Sequence, residues 1–332
     1  MGDEGGIGAL MRALRGPRGE DRLPAHLAER WGVEVRSVTP LDAGVARVDL
    51  AGDAPWVARV FPPERPVERV EGDAEVLALL AAAGIPAERP ARTDPVSSLD
   101  GRPVLVTTFV AGGAPPPGGG TLTRLADLLG RVHALPPAPG AAARPGGSLH
   151  HVPGYEGLPR EDLALAAALL DDARPAVPAR ARRTVDRLGD EVAAADDCGD
   201  LPSALGHPDP VAKNAIAGPD GGLTLVDWTG AGRGPRVAGL AVLLSETRGR
   251  PPAVERVASA YAHHVRLEDA ELARLGAAVL IRQLWLAAWM TWSTVARGGA
   301  PSGHEWWQPD RSYAERLGAR AAAAFAAGAG PG

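Results

Sequence analysis

Four polar residues in the second half of the chain have the types and the spacing that phosphoryl transfer requires. His207 and Asp209 form an H-x-D triplet, Asn214 follows Asp209 at the fifth position, and Asp227 follows a short apolar run. Transfer of a phosphoryl group needs a base beside the acceptor hydroxyl and oxygen ligands for Mg2+, which bridges the phosphates. The set therefore predicts a site at which Mg2+ and phosphate groups bind.

Turn-forming residues between the last two members of this set predict a β-hairpin. The segment 218–222 reads Gly-Pro-Asp-Gly-Gly and has a short apolar strand on each side, which is typical of a tight turn. Pairing around the turn places Asn214 opposite Val226 or Asp227, so two oxygen ligands stand side by side at its open end. The structural alternative is that Asp and Asn cap the turn and that His207 only braces the loop.

A charged residue on a predicted strand of the first hundred residues indicates a second part of the site. Arg59 alternates along the strand 56–61 so that it shares a face with apolar side chains. A charge in that position needs a partner or a ligand. Glu75 on the next predicted helix is the expected partner, with Glu71 as the alternative. Such a cation can contact nucleotide phosphates; the other interpretation is an edge-strand arginine in water.

Two further segments could contact a nucleotide through their backbone. Gly44, between the first two predicted strands, would let the chain approach a phosphate closely. The strand that ends at Thr107, Phe109 and Val110 leads into a Pro/Gly-rich linker at 112–120. Its backbone could bond the edge of an adenine, although an ordinary core strand has the same composition. Neither G-x-G-x-x-G nor G-x-x-x-x-G-K-[ST] is present in the sequence.

The chain divides into a small β-rich region and a larger helical region. We expect a loosely ordered segment at 1–20, an N-terminal lobe at 21–111, a linker at 112–120 and a C-terminal lobe at 121–332 with the catalytic loop at 206–228. Hydrophobic periodicity predicts strands at 33–38, 45–50, 56–61 and 103–109, and helices at 23–31, 66–83, about 122–132, 255–264 and 271–295, with two more between 160 and 197.

Tryptophans are concentrated near the C-terminal end of the sequence. Trp285, Trp289 and Trp292 are spaced i, i+4 and i+7, so they share one face of the predicted helix, and Trp306 and Trp307 follow. This face is either an aromatic wall for a substrate or a packed core surface.

The composition of the chain limits which partners it is expected to bind and in which cell compartment it is expected to occur. The net charge of -5 gives no general attraction to nucleic acid or to an anionic membrane. Cys198 is the only cysteine, so an internal disulfide is excluded and a reducing cytoplasm is expected. The most apolar late segment is interrupted by Arg282 and Gln283, which disfavours a membrane span. We therefore expect a cytoplasmic protein with no nucleic-acid or membrane partner.

From about residue 23 to about residue 295 the sequence resembles the aminoglycoside phosphotransferase family, which is related to choline and homoserine kinases. The strongest part is 207–228, and weaker support comes from WVARVF, EVLALLAAAGIPA, VLVTTFVAGG and LADLLGRVHALP. The resemblance implies an α+β, protein-kinase-like fold of two lobes. The N-terminal lobe would be small and β-rich with one key helix, and the C-terminal lobe larger and mostly helical.

The resemblance also implies a role for each candidate residue. Asp209 would be the catalytic base, braced by His207, and Asn214 and Asp227 would bind Mg2+. Arg59 stands at the position that contacts the phosphates.

Glu75 would be the helix partner of that cation, and residues 107–110 would form the hinge that takes the adenine. Three positions depart from the family pattern. Pro208 replaces a glycine, Pro210 restricts the base to extended backbone angles, and Gly239 stands where an aspartate commonly precedes Leu-Ala. The glycine at position 239 would affect the support of the catalytic loop more than the chemistry of phosphoryl transfer.

The expected function is a kinase that uses ATP, with GTP as the alternative nucleotide, and Mg2+. It would transfer the γ-phosphoryl group to a hydroxyl of a small molecule such as an aminoglycoside, an amino alcohol, an amino acid or a sugar. One alternative is a non-catalytic kinase-like protein that binds a nucleotide or another ligand, which the two prolines around Asp209 would favour. A third interpretation is an interaction module that uses the Trp-rich tail.

Overall fold

The structure, a computed structural model, describes residues 20–147, 159–298 and 308–328. The predictions for residues 1–19, Trp306 and Trp307 lie outside the described residues. The helices and strands, in chain order, are α1 (Leu23–Trp31), β1 (Val35–Asp42), β2 (Val45–Leu50), β3 (Trp56–Val60), α2 (Val67–Ala82), β4 (Val96–Leu99), β5 (Arg102–Thr108), α3 (Gly119–His133), α4 (Arg160–Ala173), α5 (Ala179–Ala193), β6 (Ser203–Gly206), β7 (Ala215–Ala217), β8 (Leu223–Leu225), β9 (Gly232–Pro235), α6 (Arg236–Glu246), α7 (Pro251–Ala262), α8 (Asp269–Ala296) and α9 (Arg311–Gly328).

The described residues form two compact units. Unit 1 takes the chain up to Pro115 together with 139–142 and 213–229, and unit 2 takes 116–138, 143–212 and the chain from Gly230 onward. The predicted linker 112–120 contains the change from one unit to the other. The hairpin segment 213–229 groups with unit 1.

Unit 1 contains an antiparallel sheet in the order β1-β2-β3-β5-β4. Alternate residues of β2 and β3 are buried, as expected for a sheet with one face toward a core. That core includes Leu23 and Leu27 of α1 with Val48, Ala58 and Val106 of the sheet. Strand β4 was not predicted, because the sequence Val-Ser-Ser-Leu is too short and too polar for a clear pattern.

Helix α2 carries a buried carboxylate within its apolar stripe. Asp73 lies three residues after Val70 and four before Leu77, and all three are buried. Arg65 donates from Nη2 to Asp73 Oδ2 at 2.6 Å, and both side chains are almost inaccessible. The helix is therefore fixed to the loop before it by an ion pair as well as by apolar packing.

The predicted hairpin is present in unit 1. Strands β7 and β8 pair antiparallel, Ala215 with Leu225, and the next backbone bond joins the Val226 N–H to the Asn214 carbonyl at 2.8 Å. Asn214 thus stands opposite Val226, which confirms the predicted register. The hairpin is extended on its other edge by Gly113, whose N–H and carbonyl both bond to Ala217.

Unit 2 is built from α3 to α9 with a two-stranded ladder of β6 and β9. Helix α8 is its central element and packs against α4, α6 and α9, while α3 packs against α7. Among the described helices, α8 is long and apolar enough to cross a membrane, yet 50% of its most apolar window is buried inside the protein. Its packing is that of a core helix.

Candidate active site

The H-x-D triplet lies in unit 2, directly after β6, in a loop closed by two local hydrogen bonds. The backbone N–H of Asp209 donates to Nδ1 of His207 at 3.0 Å, so this ring nitrogen is unprotonated. The N–H of Val211 donates to the Asp209 carbonyl at 2.8 Å. Pro210 is the central residue of that second turn, and its fixed φ suits it. Together with Pro208, these contacts hold the backbone of Asp209 from both sides.

The side chain of Asp209 is paired with Arg282, which in the sequence stood out only because it interrupts an apolar run. Arg282 of α8 donates from Nη2 to Asp209 Oδ1 at 2.8 Å, and its guanidinium lies 4.9 Å from the centroid of the Trp285 ring. A second carboxylate, Asp162 of α4, belongs to the same cluster. Burial raises its pKa to about 6, Arg282 opposes this shift and Asp209 adds to it.

The tryptophans of α8 divide between the two interpretations given above. Trp292 is buried and its Nε1 donates to Asp172 at 2.7 Å, as in a packed core. Trp285 and Trp289 are half-buried and stack in parallel with ring centroids 6.0 Å apart. Among the tryptophans of α8, Trp285 and Trp289 are therefore the partly exposed pair that fits the aromatic-wall interpretation.

The metal-ligand candidates lie at the open end of the hairpin in unit 1. Asn214 is half-buried beside the last bond of the ladder, and Asp227 follows immediately on the other strand. Asp227 has a φ of 68°, a left-handed conformation that costs energy for a residue other than glycine and that recurs at functional sites. Its carboxylate is 46% exposed. Lys213, directly before Asn214, is exposed and is the only lysine of the chain.

Arg59 contacts Asp227 and not the predicted Glu75. Its Nη1 donates to Asp227 Oδ1 at 2.6 Å, and the side chain is only 17% exposed. Burial lowers the pKa of Arg59, but the carboxylates of Asp227, Glu88 and Asp73 outweigh it and raise that pKa above its usual value. The predicted pair fails because Glu75 is exposed on α2.

The helical period explains this correction. Asp73, not Glu75, falls in the buried stripe of α2, since two residues along a helix correspond to a rotation of about 200°. Glu71, the alternative partner, is also exposed. The position of Asp73 between two apolar stripe residues was visible in the sequence. Glu88 follows the helix in a loop, and no periodicity indicated it.

The predicted hinge has one amide available for a ligand. The N–H of Thr108 donates to the Arg89 carbonyl and that of Phe109 to the Pro55 carbonyl, both at 2.8 Å. Thr107 is buried. Among the described residues, nothing accepts the N–H of Val110. A ring nitrogen of an adenine at this strand would therefore accept from the N–H of Val110 and not from those of Thr108 and Phe109.

Two other features of unit 1 belong to the predicted nucleotide side. The guanidinium of Arg47 lies 4.5 Å from the centroid of the Phe109 ring. Gly44 closes the β1–β2 turn with a φ of 68°, and its carbonyl accepts the N–H of Val60 at 2.7 Å. A side chain at position 44 would be strained there, so the turn depends on glycine whether or not a phosphate binds.

The donors at the hairpin end fit Mg2+. A carboxylate and an amide oxygen are hard ligands, and Mg2+ is bound by one or two such groups together with substrate phosphates. The described residues contain no cluster of three or more His, Cys, Asp or Glu that could hold an ion by themselves. Asn214 and Asp227 would thus hold the ion only with a nucleotide, and Arg59 would have to share Asp227 with it.

Gly239, the third departure from the family pattern, packs against α3. A Cβ at this position would lie 3.5 Å from Leu129 and 3.7 Å from His133. His133 is buried, and its Nδ1 is 2.7 Å from the Tyr261 hydroxyl. The histidine of the LADLLGRVH segment is therefore held by Tyr261, without a carboxylate at position 239.

The fold is that of the protein-kinase-like phosphotransferases. Residues 38–277 match the phosphotransferase enzyme family. The chain belongs to that family, and the resemblance seen in the sequence is confirmed. A search of curated proteins finds no match.

Solved structures of small-molecule kinases share the fold. The amicoumacin kinase hAmiN, in complex with AMP-PNP, Ca2+ and Ami, aligns with a TM-score of 0.60 at 14% identity over 90% of this chain and 93% of that chain. The choline kinase LicA from Streptococcus pneumoniae aligns with a TM-score of 0.54 at 16% identity, covering 93% and 99%. The aminoglycoside phosphotransferase APH(3'')-Id from Streptomyces rimosus, in complex with ADP and streptomycin, aligns with a TM-score of 0.54 at 20% identity, covering 80% and 98%.

Proposed function

We propose that this protein is a kinase that uses ATP and Mg2+ to phosphorylate a hydroxyl group of a small molecule. The observation that carries the proposal is the end of the hairpin. Asn214 and Asp227 stand just beyond the paired ends of two adjacent strands, Asp227 adopts a strained left-handed conformation, and a buried cation, Arg59, is bonded to it. Oxygen ligands for a metal and a cation for phosphate oxygens are what phosphoryl transfer requires.

In this proposal each residue has one task. Asp209, with its backbone fixed by His207, accepts the proton of the acceptor hydroxyl. Arg59 neutralises phosphate charge, and Asn214 and Asp227 hold Mg2+. The bound ion would neutralise the charge that develops on the phosphate oxygens.

The adenine would bond to the N–H of Val110, the one amide of the predicted hinge whose donor has no acceptor among the described residues. The ring of Phe109, covered by Arg47, lies next to it in the chain. Gly44 would keep the β1–β2 turn free of side chain near the phosphates. Glu75 has no part in this proposal.

A second carboxylate beside the base favours an acceptor that carries an amine. Asp162 lies within the influence of Asp209 and of Arg282, and Arg282 is bonded to Asp209. No hydrogen bond of the Asp162 side chain is present within the described part of the chain. An ammonium group would interact favourably with the Asp162 carboxylate. Amino alcohols and aminoglycosides therefore come before sugars and hydroxy acids in a screen.

A second candidate function is nucleotide binding without phosphoryl transfer. The observation in its favour is that both reactive carboxylates are already paired with arginines, Asp209 with Arg282 and Asp227 with Arg59. A catalytic protein has to loosen these pairs when substrates bind. A binding protein can keep them.

Two measurements test the proposal in sequence. Thermal unfolding is first followed with ATP, GTP and AMP-PNP, each with and without Mg2+, and we expect stabilisation by a nucleotide that increases with Mg2+. ADP release is then measured with a panel of hydroxyl acceptors. No response to any nucleotide contradicts the proposal as a whole. Nucleotide stabilisation without turnover on any acceptor, and without slow ATP hydrolysis, favours the binding protein.

A further inference from the structure

A buried carboxylate lies behind the metal-ligand candidate and contacts its backbone. Glu88 is only 7% exposed. Its Oε1 accepts the N–H of Asp227 at 2.9 Å and, in a longer contact of 3.3 Å, that of Trp228. Its Oε2 accepts the hydroxyl of Thr107 at 3.2 Å. One carboxylate thus receives donors from the end of the hairpin and from the end of strand β5.

The chain segment that carries Glu88 joins the hairpin to the sheet of unit 1. On one side, the Leu225 N–H donates to the Pro86 carbonyl at 3.0 Å. On the other side, the Thr108 N–H donates to the Arg89 carbonyl at 2.8 Å. Glu88 lies between these two backbone bonds, so its side chain can reach both neighbours. The backbone therefore fixes the carboxylate in place independently of any ligand.

A buried charge needs strong compensation, and here it comes from groups of the candidate site. Isolated buried carboxylates are costly unless they are paired or accept several hydrogen bonds. Glu88 receives two backbone N–H bonds and one hydroxyl bond, and it also raises the pKa of Arg59 through its charge. A neutral side chain would be cheaper to bury in a purely structural role. Beside Arg59 and a bound cation, by contrast, the charged Glu88 carboxylate is stabilised by the opposite charges.

The backbone of Asp227 requires such a contact. With a φ of 68°, this residue lies in a region that is unfavourable for a non-glycine residue. The bonds from its own N–H and from that of Trp228 to Glu88 hold the two peptide planes on either side of the Asp227 Cα, whose relative rotation defines this conformation. The direction of the Asp227 carboxylate follows from those planes.

We propose that Glu88 is the positioning residue that fixes the backbone of Asp227 so that its carboxylate is presented to Mg2+. The proposal rests on the proposed function for the identity of the ion, but the hydrogen bonds exist without it. Glu88 does not touch the ion or the substrate. It acts through Asp227, and through Thr107 it connects the metal end of the hairpin with the strand predicted to carry the adenine.

The test compares Glu88→Gln with wild type in the binding of AMP-PNP at increasing Mg2+ concentration. The glutamine keeps the shape and one acceptor oxygen but removes the charge. We expect the Mg2+ concentration for half-saturation to rise about tenfold, and up to about 100-fold in Glu88→Ala, as is typical when a residue that orients a metal ligand is lost. AMP-PNP affinity at saturating Mg2+ should change much less. A merely structural role would lower the unfolding temperature and leave the Mg2+ dependence unchanged.

A second readout needs neither nucleotide nor metal. Amide hydrogen exchange at Asp227 and Trp228 should become about tenfold faster in Glu88→Gln, because charge-assisted bonds are replaced by neutral ones. Glu64→Gln is the matched control, since Glu64 is exposed in the loop before α2. It should leave both readouts at the wild-type value.

The outcomes separate the two proposals. If wild type binds AMP-PNP with Mg2+ and Glu88→Gln shows the same Mg2+ dependence, the positioning role is overturned while the proposed function stands. If wild type binds no nucleotide, the proposed function is overturned, and the metal role of Glu88 with it. If amide exchange at Asp227 and Trp228 is unchanged in Glu88→Gln, Glu88 does not hold the backbone of these residues and the proposal is overturned.

Discussion

Two carboxylates of this protein are held through their backbone before any ligand arrives. Asp209 has its N–H on His207 and its carbonyl on Val211, and Asp227 has its N–H on Glu88. Each side chain is in addition paired with a partly buried arginine. Preorganised charges of this kind reduce the reorganisation that the reaction needs.

The role of Asp209 as base is tested by Asp209→Asn. The amide keeps an oxygen for Arg282 and the local turns, so the fold should persist, but it cannot accept the hydroxyl proton. We expect turnover on an identified acceptor to fall about 100- to 10,000-fold, the usual contribution of a general base, with little change in the nucleotide-induced shift of the unfolding temperature.

The control for this substitution is Asp171→Asn, an exposed carboxylate on α4 whose side chain is 75% accessible. It should retain wild-type turnover. Wild-type turnover in Asp209→Asn as well would show that another group takes the proton.

At the scale of elements, the hairpin of β7 and β8 depends on a close contact with the chain that leaves the sheet. Gly112 has a φ of 149°, and a Cβ there would lie only 2.2 Å from the Ala217 carbonyl oxygen. The next residue, Gly113, makes two backbone hydrogen bonds to Ala217. Only glycine permits this approach, so the placement of the hairpin in unit 1 depends on position 112.

Gly112→Ala should therefore destabilise the protein by about 2 kcal/mol or more, from backbone strain and the displaced contact. The free energy of unfolding, from urea titration, measures this change. Gly113→Ala is the adjacent control, because nothing lies within 4 Å of a Cβ there and its φ is not positive. Equal effects of the two substitutions would contradict the explanation by close contact.

The elements that the sequence predicted are those with a strong local pattern. Helix α1 was predicted at its observed bounds, β2 likewise, and the hairpin register followed from its turn residues. The ladder of β6 and β9 was not predicted, since Gly-Arg-Gly-Pro has no strand composition and pairs with residues about thirty positions earlier. Helix α6 is apolar almost all round, so periodicity could not separate it from a strand.

Within the candidate site, the sequence could predict only the placements that depend on local spacing. Asn214 and Asp227 followed from spacing and turn chemistry. The contacts of Arg59, Arg282 and Glu88 did not, because each joins residues more than seventy positions apart in the chain. Their partners are set by packing of elements, which one sequence does not reveal.

At the scale of the whole molecule, buried titratable groups make stability depend on pH. Burial lowers the pKa of His133 from 6.5 to about 3, with a smaller contribution from Arg236. As the pH falls below 6.5, His133 therefore becomes protonated in the unfolded chain but stays neutral in the folded protein. The stability from neutral His133 is complete above pH 6.5 and is lost as the pH falls toward 3. Asp162, with its pKa raised to about 6, acts in the opposite direction and loses its contribution as the pH rises from 3.8 to 6.

For His133 the expected loss between pH 7 and pH 5 is about 2 kcal/mol in the free energy of unfolding. His133→Asn places an amide near the Tyr261 hydroxyl and cannot titrate, so its stability should change less over this interval, even if it is lower at pH 7. Urea unfolding at both pH values measures the difference. His263→Asn, at the exposed residue that directly follows α7, should keep the wild-type pH dependence. Parallel pH curves for wild type and His133→Asn would contradict this assignment.

Lys213 gives the protein a chemical property that its other cations do not share. Lys213 is the only lysine of the chain, so reagents that acylate primary amines have one side-chain target. The α-amine is their other target. Lys213 is exposed and directly precedes Asn214. A fluorophore or a crosslinker attached by ordinary amine chemistry would thus be delivered next to the proposed metal ligand, with no engineered cysteine and with the α-amine as the competing position.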